Sequence, residues 1–287
     1  MTYIPVLKFG GLTLQGRERF GPDEPALLEE CRQLESVNAI YRHIETRRNQ
    51  ARAKRLREIA ERFILPFTTD GVIPVVVVSA FDWTTDKLQQ LAYCVHEEPD
   101  DREYARLLMS GELRANAALA MVLQCMDCPA CSLTGHEAGI NTTPQHVDAL
   151  VRRVHAGYSR SLIERGVVPV IAGFQGYFHN PKLGRNDVSI LGRGGSNLTA
   201  VALAHALGQS ECIMFTDVDG IYDKDPRRHA DARKLPQVKA SDLLEWDPFP
   251  QVIQKEAVQF AVNRRVNIWI RDGFDADAPG SLIVCTG

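Results

Sequence analysis

The segment VIPVVVVSA, residues 72–80, constrains the fold more than any other part of the 287-residue chain. Its four consecutive valines leave no alternation of apolar and polar side chains, so neither face of the segment is suited to water. β-Branched residues favour extended strands, and a strand that is apolar on both faces is typical of a parallel sheet covered by helices on both sides. The segment therefore predicts an α/β protein.

Strand-like and helix-like segments alternate along the rest of the chain. Short apolar runs predict strands, and apolar residues at helical spacing predict helices. The predicted strands are residues 3–9, 72–80, 131–135, 167–176, 211–220, 266–274 and 281–287. The predicted helices are residues 26–66, 84–96, 103–124, 145–165, 196–207 (capped by Ser196) and 255–264. This order predicts one domain, a three-layer αβα sandwich with a largely parallel central sheet.

Composition and charge exclude several classes of protein. Hydrophobic residues make up 45% and charged residues 24% of the chain, and the net charge is −3, so we expect no nucleic-acid partner. No apolar run approaches the roughly 18 residues that a membrane span needs, and the MTYIPVLKFGG start does not resemble a signal peptide. We therefore expect a cytoplasmic protein with no membrane association.

Three of the seven cysteines, Cys125, Cys128 and Cys131, form a C-x-x-C-x-x-C motif. Thiolates at this spacing hold zinc or an iron–sulfur cluster in some proteins. The alternative is a helix end, a turn containing proline and the start of a strand. No second Cys/His pair nearby offers a fourth ligand, so we expect no metal site.

Loops with chemically informative residues follow the predicted strands. They are KFGG (8–11), SAFDWTTD (79–86), GFQG (173–176), GRGGSN (192–197) and TDVDG (216–220). Because ligands of parallel α/β sheets bind at the carboxyl ends of the strands, we expect these loops to meet in one site. The chain contains neither a G-x-x-x-x-G-K-[ST] phosphate loop nor a G-x-G-x-x-G motif.

These loops belong to a longer series of motifs in a fixed order. The series is KFGG (8–11), VVVVSA (75–80), TTD (84–86), SGE (110–112), VPVIAGFQG (168–176), LGRGGSN (191–197), TDVDGIYDKDPR (216–227), DARKLP (231–236) and APGSLI (278–283). With this series the chain resembles the catalytic domain of aspartate kinases, in the amino acid kinase superfamily. The resemblance runs from residue 3 to about 284 and is interrupted mainly at residues 15–65.

The resemblance implies both an architecture and a reaction. The architecture is the amino acid kinase fold, with an amino-acid-binding N-lobe (about 1–165) and a nucleotide-binding C-lobe (about 166–287), in a homodimer. The reaction is ATP-dependent phosphorylation of the β-carboxylate of L-aspartate, with Mg²⁺ held mainly by ATP phosphates and water. An aspartate carboxylate is already ionised at neutral pH and needs no general base. It needs positioning, and cations that offset the repulsion between two anions.

The resemblance also implies roles for individual residues. Lys8 bridges the nucleophile and the γ-phosphate, while Gly10 and Gly11 bring backbone amides to phosphate oxygens. Arg193 grips the substrate α-carboxylate with a bidentate fork, and Glu112 accepts the α-ammonium. The remaining substrate contacts are Ser79, Thr85, Ser196 and Asn197, and the nucleotide contacts are Thr216, Asp217 (which is also assigned a catalytic role), Tyr222 and Arg227.

Simpler interpretations of several of these residues stay open. Gly10 and Gly11 also suit a plain tight turn, and Glu112 suits a helix cap. Thr84 suits the cap of the helix that follows it. The acids at 219, 223 and 225 suit ordinary turns.

Two departures from the family pattern bear on the substrate. The usual GRGGSD motif ends here in Asn197, so a carboxylate on the substrate side is lost. The loop that usually reads SA-x-G-x-TT has Asp82 in place of glycine, next to the bulky Trp83. These changes predict either that Asp82 compensates for the lost carboxylate, or that the substrate is longer than aspartate or carries an added cation. Alternatively, the Asp82 side chain points to solvent.

Two further departures concern the phosphate turn and a later segment. KFGG is followed by Leu12 and Thr13 instead of two small hydroxyl residues. The family's Lys-x-Leu-His-Pro pattern reads VIQKEAVQFA here, with Lys255 displaced, so we assign Lys255 no role.

Three questions about the whole chain remain open at this level. The acceptor is either aspartate or an analogue, and a non-catalytic regulator that binds nucleotide or amino acid is a further alternative. No ACT regulatory domain follows the catalytic domain in this sequence, so we expect no feedback of that kind. The insertion at about 15–65 is a lid, a dimer surface or scaffold, and its charged part, residues 44–63, is expected to be a solvated face rather than a phosphate site.

Overall fold

The computed structural model describes residues 2–15, 30–31, 34, 36–81, 83–226 and 228–285. Its strands are β1 (Val6–Phe9), β2 (Val75–Val78), β3 (Ala130–Leu133), β4 (Ile140–Thr142), β5 (Val151–Val154), β6 (Val168–Ala172), β7 (Gln175–Asn180), β8 (Arg185–Ile190), β9 (Glu211–Thr216), β10 (Ile221–Tyr222), β11 (Lys234–Leu235), β12 (Gln237–Lys239), β13 (Asn267–Asp272) and β14 (Ser281–Val284). Its helices are α1 (Gly11–Gln15), α2 (Val37–Ile59), α3 (Leu65–Thr69), α4 (Thr84–Val95), α5 (Asp101–Cys125), α6 (Gly157–Glu164), α7 (Gly195–Ala206), α8 (Ala240–Leu244) and α9 (Lys255–Arg264). A π-helical turn, Ala60–Ile64, joins α2 to α3.

The central sheet has eight strands in the order β12-β14-β13-β9-β1-β2-β6-β3. Every neighbouring pair is parallel except β13 and β14. The four valines of β2 are fully buried between β1 and β6. The predicted α/β class and the largely parallel sheet are therefore confirmed.

Helices cover both faces of this sheet. Val6 of β1 packs in an apolar cluster with Leu203 of α7, whereas the next residue, Leu7, packs with Leu119 of α5. Successive side chains of a strand point to opposite faces, so α7 and α5 lie on opposite sides of the sheet. The three-layer sandwich is confirmed, and the same alternation places Lys8 on the α7 face.

The predicted helix over residues 145–165 is wrong in its first half, because Val151–Val154 is strand β5 and the helix α6 begins at Gly157. Apolar residues at 147, 150, 151 and 154 recur at helical spacing, which accounts for the prediction. The backbone of β5 pairs instead with β4 in an antiparallel ladder. Tertiary pairing therefore overrides the local pattern here.

A second sheet, of order β5-β4-β7-β8, was not predicted. The predicted strand over residues 167–176 is in fact two strands, since β6 ends at Ala172 in the central sheet and β7 begins at Gln175 in the second sheet. The chain turns at Phe174, which has a φ of +68°. This turn carries the chain from the central sheet to the second one, and the β7–β8 hairpin then leads back to the start of α7.

The predicted helix over residues 26–66 is described only in part, since residues 26–29, 32–33 and 35 lie outside the described ranges. In α2, Arg55 contradicts the expectation of a solvated charged face, because this residue is only 6% exposed. Its Nε donates to the Thr13 carbonyl at 2.9 Å, and its Nη2 donates to the Gly273 carbonyl. The guanidinium also lies over the Phe274 ring, 4.4 Å from the ring centroid. Arg55 thus ties α2 to the loops after β1 and β13.

Replacing Arg55 by methionine is expected to lower the free energy of unfolding by about 2 kcal/mol, because two buried carbonyls lose a charged donor. Arg57 is an exposed residue of the same helix, and Arg57→Met is expected to change the stability by less than about 0.5 kcal/mol. Urea unfolding of both variants measures the difference. Equal stability of the two variants would show that the Arg55 contacts do not hold the loops in place.

Candidate active site

Four loops meet at one edge of the central sheet. Strands β1, β2, β6 and β9 are parallel, so the turns that follow them begin side by side. Hydrogen bonds join these turns: the Ser79 amide donates to Phe9, and the Gly173 amide donates to Val78. The predicted convergence of these four loops is confirmed.

The GRGGSN loop reaches the same edge by a different route. It follows β8 of the second sheet, and the Leu191 amide donates to the Phe174 carbonyl at 2.7 Å. Gly173 lies directly against Ser196, since a Cβ on this glycine would be 2.7 Å from the Ser196 Cβ. The absence of a side chain at Gly173 therefore allows the start of α7 to approach the end of β6.

Lys8 is a buried cation at the end of β1, only 8% exposed. Burial lowers the pKa of its ammonium to about 8, and the nearby charge of Asp217 opposes this shift. The Nζ atom lies 3.5 Å from the position that a Cβ on Gly10 would occupy. Lys8 thus places a poorly solvated positive charge at the KFGG turn, where an anion would be strongly attracted.

The two glycines of this turn differ. The Gly10 amide donates to the Phe215 carbonyl at 3.2 Å, which ties the turn to β9, and its contact with a phosphate stays a prediction. Gly11 begins the short helix α1, where the first amides have no acceptor within the helix. The Gly11 amide is therefore the freer of the two predicted amide donors.

Glu112 lies in the middle of α5, so it is not a helix cap. It is 3% exposed, and its Oε1 accepts a hydrogen bond from the Ala80 amide at 3.1 Å. Its other oxygen, Oε2, is buried and has no hydrogen-bond partner among the described residues. Burial raises the pKa of the carboxyl to about 7, and the hydrogen bond from Ala80 opposes the shift. A buried acceptor without a donor is costly, and an ammonium group would satisfy it.

The GRGGSN loop turns sharply at Gly194, which has a φ of +75°. Helix α7 begins at Gly195 with Gly194 before it, so the prediction that Ser196 caps this helix is wrong. Arg193 is exposed at the tip of the loop. The side chain of Asn197 is buried, and its Nδ2 donates to Gln254 Oε1 at 2.7 Å.

A cavity of about 940 Å³ opens next to the TDVDG turn, which follows β9, the neighbour of the strand that carries Lys8. Asp217 and Tyr222 line it, as predicted for nucleotide contacts, and Leu12 reaches it from α1. Its opposite wall is the segment Trp246–Val252, which the sequence did not single out. Thr216 is not among the lining residues, because its hydroxyl closes the turn by donating to the Val218 carbonyl at 2.8 Å.

Asp219 is held inside this turn by other side chains. The Tyr222 hydroxyl donates to its Oδ1 at 2.9 Å and Lys234 Nζ to its Oδ2 at 3.0 Å. Burial alone would raise the pKa of this carboxyl, but the two hydrogen bonds outweigh that effect and lower it. Asp219 therefore shapes the turn, and Lys234 is a supporting residue that the sequence did not reveal.

The remaining predicted residues lie in different places. Ser79 follows β2 beside the β1 turn, and Thr85 lies in the first turn of α4. Thr84 is the first residue of α4, and Trp83, with a φ of +57°, precedes it, so Thr84 is not the cap. Asp82 and Arg227 lie outside the described residues. Lys255 is exposed at the start of α9.

The cysteine motif spans a helix end, a turn and the start of a strand, as the alternative interpretation predicts. Cys125 ends α5 and is exposed, Cys128 is buried in the apolar cluster below α5, and Cys131 lies in β3. Within the described ranges, no group of three His, Cys, Asp or Glu side chains is placed to hold a metal ion. No helix in the part of the chain that the structure describes is both long and apolar enough to cross a membrane.

Comparisons with known proteins agree with this arrangement. Residues 4–272 match the sequence profile described as the amino acid kinase family. Aspartokinase of Mycobacterium tuberculosis H37Rv is 40% identical over 235 residues, which cover 82% of this chain and 54% of that protein. The chain thus spans about half the length of the curated relatives it matches.

Solved structures show the same likeness. The crystal structure of aspartate kinase from Synechocystis superposes with a TM-score of 0.73 at 30% identity, covering 98% of this chain and 40% of that one. Aspartokinase III of E. coli, solved in complex with aspartate and ADP, superposes with a TM-score of 0.62 at 20% identity, covering 99% of this chain and 65% of that one. This second likeness concerns the fold alone.

Proposed function

The chain belongs to the amino acid kinase family, and from this premise we propose that it transfers the γ-phosphoryl group of ATP to the β-carboxylate of L-aspartate. One observation carries the proposal, and it is the order of three strands. The buried cation of Lys8 lies on β1, between β9, which leads to Asp217 and the cavity, and β2, which leads to Ala80 and the buried Glu112 carboxylate. A phosphoryl donor and a carboxylate acceptor on either side of one lysine are the arrangement that this reaction requires.

The cavity supports the nucleotide part of the proposal. Its volume of about 940 Å³ lies in the range of small-molecule sites. Its lining includes the basic side chains of Lys224 and Arg228 and the apolar side chains of Trp246 and Phe249, which suit the phosphate and base ends of a nucleotide respectively. The family relative from E. coli binds ADP on this fold.

Glu112 and the GRGGSN loop support the amino acid part. The unpartnered Oε2 of Glu112 suits the substrate α-ammonium, and Ser79, Thr85 and Ser196 are proposed to hydrogen-bond the substrate. The exposed Arg193 is proposed to grip the α-carboxylate at the start of α7. The β-carboxylate is then left to face Lys8.

The chemistry follows from these positions. An oxygen of the ionised β-carboxylate attacks the γ-phosphorus, the bond to the β,γ-bridging oxygen breaks, and ADP leaves with that electron pair. No proton has to be removed from the nucleophile. Lys8 offsets the repulsion between the two anions as they approach, and its burial strengthens this effect.

Mg²⁺ is proposed as the co-substrate of ATP. We expect the ion to be held mainly by oxygens of the ATP phosphates and by water, because Mg²⁺ keeps several waters and needs few protein ligands. When bound, Mg²⁺ neutralises charge on the phosphates. Arg227 is a further proposed phosphate contact, and a cytoplasmic homodimer is part of the proposal by resemblance to the family alone.

A small carboxylate related to aspartate is a second candidate acceptor. The observation that favours it is the neutral Asn197, whose amide is directed to Gln254 instead of presenting a charge. ADP release with Mg²⁺-ATP across amino acids and dicarboxylic acids tests both candidates. The proposal predicts the highest kcat/KM with L-aspartate, and a higher value with a relative would move the assignment to that relative.

A further inference from the structure

Gln254 connects the two halves of the site. It directly precedes helix α9 and follows the cavity wall at Gln251 and Val252. Its side chain reaches the start of α7, where Oε1 accepts a hydrogen bond from Asn197 Nδ2 at 2.7 Å. The two positions are 57 residues apart in the chain. Two departures from the family pattern, at Asn197 and in VIQKEAVQFA, are thus in direct contact.

The same side chain packs on the turn before α7. A Cβ on Gly194 would lie 2.3 Å from Gln254 Oε1 and 2.6 Å from its Cδ. A larger residue at position 194 would have to displace the end of the Gln254 side chain, and the φ of +75° there favours glycine. Gln254 therefore contacts the residue that precedes α7 as well as the third residue of this helix.

The segment between these two contacts carries the predicted carboxylate-binding groups. Gly195 and Ser196 lie between Gly194 and Asn197, and Arg193 comes immediately before Gly194. The amides of Gly195 and Asn197 donate to the carbonyls of Gly192 and Gly194, at 2.9 and 2.8 Å. The Ser196 amide lies between them in the first turn of α7, where amides point outward and have no acceptor within the helix. Fixing the turn at both ends fixes the direction of these amides, since the backbone between the contacts is short.

We propose that Gln254 and Asn197 act as one hydrogen-bonded positioning unit that holds residues 193–196 in place for the acceptor's carboxylate and ties this turn to the wall of the nucleotide cavity. The substrate part of this inference rests on the proposed function, whereas the positioning part rests on the contacts alone. Neither side chain is charged, so the unit holds the turn without adding a charge to the anion site.

Three variants test the unit. Gln254→Met keeps the length of the side chain and removes its hydrogen bond. Asn197→Asp keeps a hydrogen bond, because the Gln254 amide can rotate and donate its Nε2–H to the new carboxylate. Lys255→Met is the matched control, since Lys255 is the exposed neighbour of Gln254.

Hydrogen–deuterium exchange of peptides covering residues 192–198 is the first readout. We expect Gln254→Met to speed exchange about fivefold, and Asn197→Asp and Lys255→Met to leave it within about twofold of wild type. Unchanged exchange in Gln254→Met would overturn the inference, as would equal acceleration in Lys255→Met.

Steady-state kinetics with L-aspartate and ATP is the second readout. We expect Gln254→Met to raise the KM for aspartate about tenfold, as the loss of one partly buried hydrogen bond allows, with the KM for ATP changed less than about twofold. An unchanged KM for aspartate would overturn the substrate part. The two parts of the inference can fail separately. If wild-type protein does not phosphorylate aspartate but Gln254→Met still exchanges faster, the proposed function is refuted and the positioning unit is supported.

Discussion

Replacing Lys8 by methionine is expected to lower kcat by about 10,000-fold. The lysine is buried, so its charge acts in a medium of low effective dielectric constant, where the loss of a cation between two anions is most costly. Methionine fills similar space without a charge. Single-turnover measurement of acyl phosphate formation gives the chemical step directly.

The fold of this variant provides the control. Removing a buried cation also removes a desolvation cost, so the melting temperature of Lys8→Met is expected to equal or exceed that of wild type. A loss in kcat below about tenfold, in a protein that melts normally, would remove Lys8 from the reaction.

Replacing Glu112 by glutamine is expected to lower kcat/KM for L-aspartate by about 1,000-fold, because the substrate ammonium would be buried without a counter-charge. The effect is expected mainly in the KM for aspartate, and ATP binding is expected to stay within about threefold. Glu103, an exposed acid on the same helix, offers the control Glu103→Gln, which is expected to change kcat/KM by less than about twofold. Equal effects of the two substitutions would contradict the role of Glu112.

The two shifted pKa values also predict the pH dependence of kcat/KM. Glu112 attracts an ammonium only as a carboxylate, so activity is expected to rise through about pH 7. Lys8 is a cation only below its own pKa, so activity is expected to fall through about pH 8. The pH profile of kcat/KM for wild-type protein is thus expected to be a narrow bell, and the profile of Glu112→Gln is expected to lack the acid limb. Persistence of the acid limb in Glu112→Gln would assign that limb to another group.

The central sheet and the loops at its edge could be predicted from the sequence for a physical reason. A strand buried on both faces, such as β2, has an unbroken apolar run that no solvent-exposed element shares. The carboxyl ends of parallel strands lie at the same edge of a sheet, whatever the sequences of the loops that follow. Lys8 at the end of β1 and Asp217 after β9 are therefore expected at the same edge. Periodicity and topology together were sufficient for this part.

The second sheet and the supporting contacts were not predictable in the same way. Strand β5 carries a helical apolar pattern, and only pairing with β4 settles its conformation. Arg55 and Gln254 resemble surface residues locally, and their contacts lie 218 and 57 residues away in the chain. Single-sequence patterns contain no signal for such pairs, although the departures at Asn197 and VIQKEAVQFA marked the right places.

The position of the transferred phosphoryl group tests the central claim most directly. L-Aspartate is incubated with the enzyme, ATP and Mg²⁺, the product is trapped with hydroxylamine, and the hydroxamate is identified by NMR. The account predicts the β-hydroxamate, formed in step with ADP and lost in Lys8→Met. Formation of the α-hydroxamate, or ADP release with aspartate and no hydroxamate, would contradict it.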